Sequence, residues 1–332
     1  MRGVVIREFG PLDTHRLEEV ADPAPGADEV LIDIHAIGLN YPDTLMMQGR
    51  YQVKPETPFV PGRDAAGTVA AVGANVSHVK PGDRVASVYT FGAYAERRVV
   101  PKERCWALPD KVDFVTGAGM MTTYLTSYVA LVVRARVAAG DTVLVLGASG
   151  GVGLAAIEIA KAKGATAIAG STSMSPERVA LIEAHGADHV IDLSGDDVRD
   201  ALREQVYAVT DRRGVDIVLD PIGGDFFDAA IRALAFSGRI LAVGFAAGRI
   251  PEAKAGYFNV RNLTMMGVAL DLHFRHRPDL MADAVAEIMA MCERGEINPQ
   301  VTGVRALEDF QSVIPMFQEH GVRGKMVLTT GR

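Results

Sequence analysis

The sequence predicts an α/β protein in which a β-rich domain precedes a domain with a doubly wound parallel sheet. Three observations predict this fold class. At 332 residues the chain is long enough for two domains. Up to about residue 120, short alternating apolar runs are cut by proline and glycine turns. From about residue 121, apolar strands alternate with helices, which indicates βαβ units and a parallel sheet covered on both faces.

The first part of the chain is rich in strand-like runs and needs no long helix. Typical runs are GVVIREF (3–9), EVLIDIHAIGL (29–39), GTVAAVG (67–73) and DRVASV (83–88). The turn Pro81-Gly82-Asp83 separates the last two of these runs. Because apolar side chains recur at every second residue, we expect half-buried strands here.

The second part starts with a predicted helix over 122–138 and continues as strand and helix in alternation. The predicted strands are 142–147, 166–171, 190–193, 215–220, 239–244 and 263–268. The predicted helices are 150–164, 176–186, about 196–210, about 225–236 and 279–294. The tail GKMVLT (324–329) has the pattern of a strand, and we expect it to return to the first domain.

The composition of the chain indicates which binding partners and which location in the cell to expect. The formal charge of −7, with 48% hydrophobic and 23% charged residues, argues against nucleic acid or an anionic membrane as the main partner. No apolar run is long enough to cross a bilayer, and residues 1–15 lack the apolar core of a secretory signal. Cys105 and Cys292 form no CxxC pair, so we expect a cytoplasmic location.

A glycine-dense turn, Gly147–Gly153, joins the strand at 142–147 to the following helix. Glycines at this place let the backbone approach a dinucleotide pyrophosphate, and the helix N-terminus faces the anion. Ala148 stands where a strict GxGxxG motif has its first glycine, so the motif alone is a weak match. The strand before the turn and the helix after it strengthen the match. The alternative is a close strand-to-helix contact without a ligand. The predicted pyrophosphate contacts are Ser149, Gly150, Gly151, Val152 and Gly153.

The end of the next strand predicts NADP(H) rather than NAD(H). An NAD site places a carboxylate there, whereas this chain has Ala169-Gly170-Ser171-Thr172-Ser173 and no carboxylate before Glu177. Small hydroxyl residues leave room for a phosphate, and Arg178 could pair with it. The predicted phosphate contacts are Gly170, Ser171, Thr172 and Arg178. Alternatively, Arg178 is a solvated helix residue.

Motifs along almost the whole chain resemble those of one family. They are "NYPD" (40–43), "GRY" (49–51), "PFVPGRDAAGTV" (58–69), "YLTSYVAL" (124–131), "GASGGVG", "GADHVID" (186–192), "DPIGGDFF" (220–227), "GRILAVGFAAG" (238–248) and "GKMVL" (324–328). The chain resembles the zinc-free quinone oxidoreductase, or zeta-crystallin-like, branch of the medium-chain dehydrogenase/reductase superfamily.

The resemblance implies a GroES-like domain and a Rossmann domain. We therefore assign 1–121 with 269–332 to the GroES-like catalytic domain and 122–268 to the NADP(H)-binding domain. Zinc-dependent members carry a cysteine near Asn40 and a His-Glu pair after the position of Gly62, where this chain has Arg63-Asp64. Tetrahedral zinc needs three or four donors, and these segments supply no such set, so we expect no metal. By analogy with related dimers, we also expect a homodimer that pairs through 260–270.

Without zinc, hydride addition to a conjugated acceptor is the easier reaction, because negative charge moves to a distant oxygen. We therefore expect NADPH-dependent reduction of quinones or activated C=C bonds in enones. The closest alternative is an enoyl-thioester reductase of the acryloyl-CoA type. Basic side chains at an entrance would favour that substrate, and the candidates are Arg50, Lys54, Arg63 and Arg275-His276-Arg277. Alternatively, the cluster Arg275-His276-Arg277 is solvated surface. Another alternative is a non-catalytic NADPH-binding protein.

The resemblance also implies roles for individual residues. Asn40 and Asp43 would lie on a loop that lines the nicotinamide pocket, although Asp43 could equally cap the following helix. Tyr51 matches a tyrosine linked to proton donation in enoyl-thioester reductases, and otherwise it is a wall of the pocket. Thr126 would lie near the nicotinamide or the phosphates. Phe245 would lie beside the nicotinamide, and otherwise it only packs in the core. Lys325 would add positive charge near the phosphates.

Overall fold

The structure is a computed structural model that describes residues 1–195, 197–317 and 322–332. The chain forms two compact units, Met1–Thr122 with Pro299–Arg332 and Thr123–Asn298. The predicted helix start at residue 196 lies outside the described residues. Within the described ranges, every helix is too short or too polar to pass through a bilayer.

The strands of the described chain follow in order. They are β1 (Arg2–Val5), β2 (Arg16–Glu19), β3 (Glu29–Gly38), β4 (Asp64–Val72), β5 (Arg84–Val88), β6 (Arg97–Pro101), β7 (Cys105–Ala107), β8 (Thr142–Leu146), β9 (Thr166–Ser171), β10 (His189–Asp192), β11 (Val215–Asp220), β12 (Leu234–Ala242), β13 (Thr264–Gly267), β14 (Gly303–Ala306) and β15 (Met326–Thr329).

The helices also follow in chain order. They are α1 (Tyr41–Met47), α2 (Phe114–Tyr128), α3 (Gly151–Ala162), α4 (Pro176–Ala184), α5 (Val198–Val209), α6 (Gly224–Ala233), α7 (Ala255–Arg261), α8 (Leu270–His276), α9 (Pro278–Glu293) and α10 (Phe310–Val313). Short 3₁₀ helices cover Leu12–Thr14, Lys102–Arg104, Leu307–Asp309 and Ile314–Phe317, and a π-helical segment, Val129–Arg134, follows α2.

The first unit is built around β3, the longest strand. It pairs antiparallel with β4, β6 and β15, and the main path of the sheet runs β14-β15-β3-β4-β5-β7. Side chains of β3 such as Ile32 and Ile34 are fully buried in the apolar core. Because β15 pairs with β3, the predicted return of the tail to the first domain is confirmed.

The second unit is a parallel sheet with the strand order β10-β9-β8-β11-β12-β13. Each neighbouring pair is parallel. All five side chains of β8 are buried, as expected for a strand with helices on both faces. The order reverses between β8 and β11, so the sheet is doubly wound with its switch point there. The predicted α/β fold class is confirmed.

The helix predicted over 122–138 begins earlier and ends earlier in the structure. Helix α2 starts at Phe114, inside the part interpreted as β-rich. Asp113 explains this start, because its Oδ1 accepts a hydrogen bond of 2.7 Å from the backbone N of Thr116. This is the geometry of a helix N-cap. The helix then widens into the π-helical segment after Tyr128.

Residues 269–298 differ from the predicted division of domains. The prediction placed them with the first domain, whereas the structure groups them with the second unit. Lys163, just after α3, forms a 3.6 Å ion pair with Glu287 of α9, and Glu158 of α3 accepts a hydrogen bond from the backbone N of Asn298. These contacts attach the segment to the second unit.

Candidate functional site

The glycine turn of the second unit lies at the carboxyl end of β8. Gly147 has a φ of 61°, in the left-handed region that favours glycine. The backbone N of Gly150 donates to the carbonyl oxygen of Gly147 at 3.0 Å and so closes the turn. Among the residues that the structure describes, no side chain caps α3 at Gly150. The first N–H groups of α3 are therefore open to an external acceptor.

The glycines of this turn serve two different purposes. A Cβ added at Gly153 would lie 2.4 Å from the carbonyl oxygen of Gly147 and 2.7 Å from Cα of Ala148. Gly153 is therefore required for α3 to pack against the turn. At Gly150 the nearest atom to an added Cβ is 3.4 Å away, so that face is open. An accessible backbone at a helix N-terminus fits a pyrophosphate.

The loop after β9 lies beside this turn. The backbone N of Ala148 donates to the carbonyl oxygen of Gly170 at 3.2 Å, which joins the ends of the two strands. Ser171 is buried, and its Oγ donates to the carbonyl oxygen of Ser173 at 2.8 Å. Thr172 is exposed, and Arg178 is half-buried in the first turn of α4. The structure thus brings the predicted phosphate contacts to one edge of the sheet.

Thr126 and Phe245 belong to the same unit. Thr126 is half-buried on α2, and the next residue, Ser127, donates through Oγ to the carbonyl oxygen of Val152 at 2.8 Å. Phe245 follows β12 and is 41% exposed. A Cβ added at Gly223 would lie 3.0 Å from Cδ1 of Phe245, so Phe245 packs against the turn after β11.

Asp220 stabilises that turn, a role the sequence analysis missed. Its Oδ1 accepts hydrogen bonds of 2.8 Å from the backbone N of Ile222 and of Gly223. This is the local side-chain-to-backbone bonding typical of aspartate in turns. Burial raises the pKa of Asp220 to about 6. The sequence signal was an aspartate between a buried strand and two glycines.

In the first unit, Asp43 is fully buried in the first turn of α1. Its Oδ2 accepts hydrogen bonds from the backbone N of Asn40 at 2.9 Å and from the hydroxyl of Tyr94 at 3.0 Å. Asp43 therefore caps α1, which is one of the two roles considered for it. Burial, with Asp64 nearby, raises its pKa to about 7, although Arg63 acts in the opposite direction.

The side chain of Asn40 is engaged inside the first unit. Its Nδ2 donates to the carbonyl oxygen of Gly38 at 3.2 Å and to Oδ2 of Asp64 at 2.9 Å, and its Oδ1 accepts from Nζ of Lys325 at 2.7 Å. An asparagine amide has two N–H donors, and both are used here. The geometry therefore favours a role for Asn40 in shaping the loop.

Strand register explains why these residues meet. Gly38 lies opposite Asp64 in the pairing of β3 with β4, and opposite Val327 in the pairing of β3 with β15. Asn40 therefore lies beside both Asp64 and Lys325. Asp64 also accepts a hydrogen bond from the hydroxyl of Thr122. We call Asn40, Asp43, Asp64, Tyr94 and Lys325 the first-unit polar cluster.

Lys325 differs from its predicted place beside the cofactor phosphates. The side chain is 6% exposed, and Nζ lies 3.4 Å from Oδ2 of Asp64. Burial lowers the pKa of this ammonium, whereas the Asp64 and Asp43 carboxylates act to raise it. Nζ of Lys325 donates a hydrogen bond to Asn40 and forms an ion pair with Asp64. We therefore assign Lys325 to the polar cluster and not to phosphate binding.

Two family models match the two units. The model described as "Alcohol dehydrogenase GroES-like domain" matches residues 26–110, and "Zinc-binding dehydrogenase" matches residues 151–289. The chain is 33% identical to human (Homo sapiens) quinone oxidoreductase over 331 residues, which cover 99% of this chain and 97% of that protein. The chain belongs to the quinone oxidoreductase family of the medium-chain dehydrogenase/reductase superfamily.

Other relatives in this family agree over most of their length. The chain is 32% identical to mouse (Mus musculus) quinone oxidoreductase-like protein 2 over 313 residues. The matched region covers 94% of this chain and 88% of that protein. Among solved structures, Escherichia coli quinone oxidoreductase in complex with NADPH has a TM-score of 0.89 and 25% identity, covering 99% and 100% of the two chains. A mycobacterial protein in complex with NADPH has a TM-score of 0.92 and 30% identity, with the same coverage.

Tyr51 is half-buried just after α1, where its backbone N donates to the carbonyl oxygen of Leu45 at 3.1 Å. Its side chain packs against the apolar core of the first unit. Its role as proton donor stays a prediction.

In the segment Gly62-Arg63-Asp64, the glycine and the arginine have structural roles that the sequence analysis missed. A Cβ added at Gly62 would lie 2.1 Å from Cδ1 of Tyr94, so this glycine lets the tyrosine ring reach Asp43. Arg63 and Arg98 are each 2% exposed, and Arg98 donates to the carbonyl oxygen of Arg63 at 2.9 Å. Arg63 is therefore buried, and it does not supply charge at an exposed entrance.

In the part of the chain that the structure describes, no three His, Cys, Asp or Glu side chains are grouped so that they could hold a metal ion. The absence of a metal stays a prediction of the sequence.

Proposed function

We propose that this protein is a zinc-independent, NADPH-dependent oxidoreductase that reduces quinones or activated C=C bonds. The observation that carries the proposal is the pair of loops after β8 and β9. One presents open backbone at Gly150, and the other has serine, threonine and Arg178 where an NAD site has a carboxylate. The solved relatives in complex with NADPH support the same cofactor.

The second unit supplies the proposed cofactor contacts. Backbone N–H groups of Ser149 to Gly153 would hold the pyrophosphate, and Gly170 to Thr172 with Arg178 would hold the ribose phosphate. Thr126 and Phe245 would contact the nicotinamide, which supplies the hydride when it is bound. Lys325 is left out of this set because of its buried partners.

The first unit supplies the proposed polar groups. Two-electron reduction of a quinone by one hydride also consumes one proton, and a phenol such as Tyr51 can donate it. Asp43, with a pKa of about 7, exchanges a proton near neutral pH. The buried cluster holds α1 and its preceding loop in place. Because Tyr51 follows α1 by four residues, the cluster also restricts the position of Tyr51.

An enoyl-thioester reductase remains the second candidate. Arg50 and Lys54 flank Tyr51 and are exposed, and Arg275 and His276 are exposed on α8. Such charges would favour a substrate that carries a nucleotide phosphate. Arg63, which sequence reasoning added to this set, is buried.

An acceptor panel tests the proposal. The purified protein is mixed with NADPH or NADH and, in parallel, a benzoquinone, an enone and an enoyl-CoA, and NAD(P)H oxidation is followed at 340 nm. We expect NADPH oxidation with the quinone or the enone. Turnover only with the enoyl-CoA would establish the second candidate instead. NADPH binding without oxidation by any acceptor would indicate a non-catalytic binding protein. Stoichiometric zinc, measured by a metal assay of protein purified without added metal, would contradict zinc independence.

We also propose a homodimer that forms through the edge of the second unit. Strand β13 is an edge strand of its sheet. Val260, on the preceding helix α7, is 75% exposed, and so is Phe236 on the neighbouring strand β12. Met265, on the edge strand itself, is 40% exposed. Exposed apolar side chains beside an open edge favour association. Light scattering would detect the dimer, and Val260→Asp should shift it toward monomer.

A cytoplasmic location stays a prediction.

A further inference from the structure

A second buried polar cluster lies in the second unit, away from the glycine turn. Glu158, on α3, accepts hydrogen bonds through Oε2 from the hydroxyl of Tyr124 at 2.6 Å and from the backbone N of Asn298 at 3.0 Å. Its side chain is 8% exposed. A buried carboxylate needs such partners, and two separated chain segments supply them.

His185 completes the surroundings of this carboxylate. Its Nδ1 lies 2.8 Å from the carbonyl oxygen of Leu181, which can only accept, so Nδ1 carries the hydrogen. Its Nε2 lies 3.8 Å from Oε1 of Glu158. Burial raises the pKa of Glu158, while Tyr124 and His185 act to lower it. Cys292, on α9, is another titratable side chain close to Glu158.

The contact joins the two helices that carry the proposed cofactor residues. Tyr124 lies on α2, two residues before Thr126, and Glu158 lies on α3, which begins at the glycine turn. The Ser127 hydroxyl joins the same helices again at Val152, inside that turn. With two attachments, α2 can neither slide along α3 nor rotate against it without breaking a hydrogen bond.

We propose that Glu158 and Tyr124 are positioning residues for NADPH binding. Their hydrogen bond fixes the spacing between Thr126 and the glycine turn, so that the contacts of both with the cofactor form together. Pre-positioned contacts bind more tightly because less freedom is lost on binding. This inference rests on the proposed NADPH site and adds two residues that contact no part of the cofactor.

Tyr124→Phe tests the proposal, since it removes the hydroxyl and keeps the ring. NADPH binding is measured by the fluorescence of the bound nucleotide, together with KM for NADPH and for the acceptor. We expect the Kd and KM for NADPH to rise about tenfold, which corresponds to about 1.4 kcal/mol. The KM for the acceptor should stay unchanged. A merely structural role would lower the free energy of unfolding and leave the Kd for NADPH unchanged.

Two further variants separate positioning from general damage. Glu158→Gln keeps an oxygen that accepts from Tyr124, so NADPH binding should stay within about twofold of wild type. Tyr128→Phe is the matched control, because Tyr128 is a half-buried tyrosine on the same helix that faces Lys163. Its Kd for NADPH should equal that of wild type.

The outcomes distinguish this inference from the proposed function. If wild type binds NADPH and Tyr124→Phe binds it equally tightly, the positioning role is wrong and the proposed function stands. The inference is also wrong if Tyr128→Phe weakens binding as much as Tyr124→Phe does. If wild type binds no NADPH, the proposed function fails and the inference fails with it.

Discussion

Nζ of Lys325 lies 2.7 Å from Oδ1 of Asn40, so a buried ammonium fixes an amide that precedes α1 by one residue. The same ammonium is 3.4 Å from Oδ2 of Asp64. In zinc-dependent relatives, by the sequence resemblance, the segments of Asn40 and Asp64 carry metal ligands. Here the cation among their oxygens is a lysine side chain.

We expect Lys325→Met to destabilise the protein strongly, because it leaves the Asp64 carboxylate buried without its cation. Removing one partner of a buried pair lowers the free energy of unfolding by about 3–5 kcal/mol. Urea unfolding measures this loss. Adding Asp64→Asn to Lys325→Met should recover part of it, because the uncompensated charge is then gone.

Lys102→Met is the matched control for this prediction. Lys102 forms a 2.8 Å ion pair with Asp28 at the surface, where the Asp28 side chain is 60% exposed. Surface pairs contribute little, so the loss should be much smaller than for Lys325→Met. Equal losses in the two variants would show that the buried position of Lys325 has no special weight.

Asp43 should make stability depend on pH between about 4 and 7. Burial raises its pKa from 3.8 to about 7, so in this interval the folded protein holds a proton that the unfolded chain has released. The free energy of unfolding therefore falls as pH rises through the interval, by at most about 4 kcal/mol, and the loss is complete above pH 7.

Asp43→Asn should remove this part of the pH dependence. The amide keeps an oxygen that accepts from the backbone N of Asn40 and the hydroxyl of Tyr94, but it does not ionise. Urea unfolding from pH 4.5 to 8.5 measures the difference between wild type and variant. Asp220, with a pKa of about 6, is present in both and cancels. Parallel curves for the two proteins would contradict a proton on Asp43.

Gly150 and Gly153 are expected to respond differently to alanine. At Gly153 the new Cβ would collide with backbone of Gly147 and Ala148, so Gly153→Ala should lower the free energy of unfolding by about 1–3 kcal/mol. At Gly150 an alanine has room, with its nearest neighbour at 3.4 Å and a φ of −87°.

Gly150→Ala should therefore fold almost normally but raise the Kd for NADPH about tenfold, because its methyl group stands where the pyrophosphate would approach. Urea unfolding and NADPH fluorescence, applied to both variants, separate the two effects. Normal NADPH binding by Gly150→Ala would place the pyrophosphate elsewhere.

Local patterns were enough to predict the strands of the parallel sheet in the second unit. Strands of a parallel sheet are continuous apolar runs, so 142–147 and 215–220 could be identified from a few residues, and both appear as β8 and β11. The glycine turn is equally local, because its strand, turn and helix are consecutive. What these segments needed from distant residues was only their order in the sheet.

The first-unit polar cluster could not be predicted in the same way. Lys325 meets Asn40 because β15 pairs with β3 across almost 300 residues, and a one-residue change of register would turn Lys325 to the other face. The sequence showed Lys325 only as a basic residue beside a strand, which suggested a phosphate. The sequence showed Asp64 only as part of Arg63-Asp64, which stands where zinc-dependent members have a His-Glu pair. The partners of Asp64 depend on the register of β3 with β4, which the sequence alone does not give.

Arg178 offers the most direct test of cofactor preference. It is half-buried in the first turn of α4, after a loop without a carboxylate at the end of β9. If it pairs with the 2′-phosphate, Arg178→Ala should raise the Kd for NADPH by at least about tenfold, since charge-assisted contacts contribute about 1.5–3 kcal/mol. The Kd for NADH should not change, because NADH lacks that phosphate. A similar loss for both nucleotides would instead mean that Arg178 stabilises the loop, and phosphate recognition would then rest on Ser171 and Thr172.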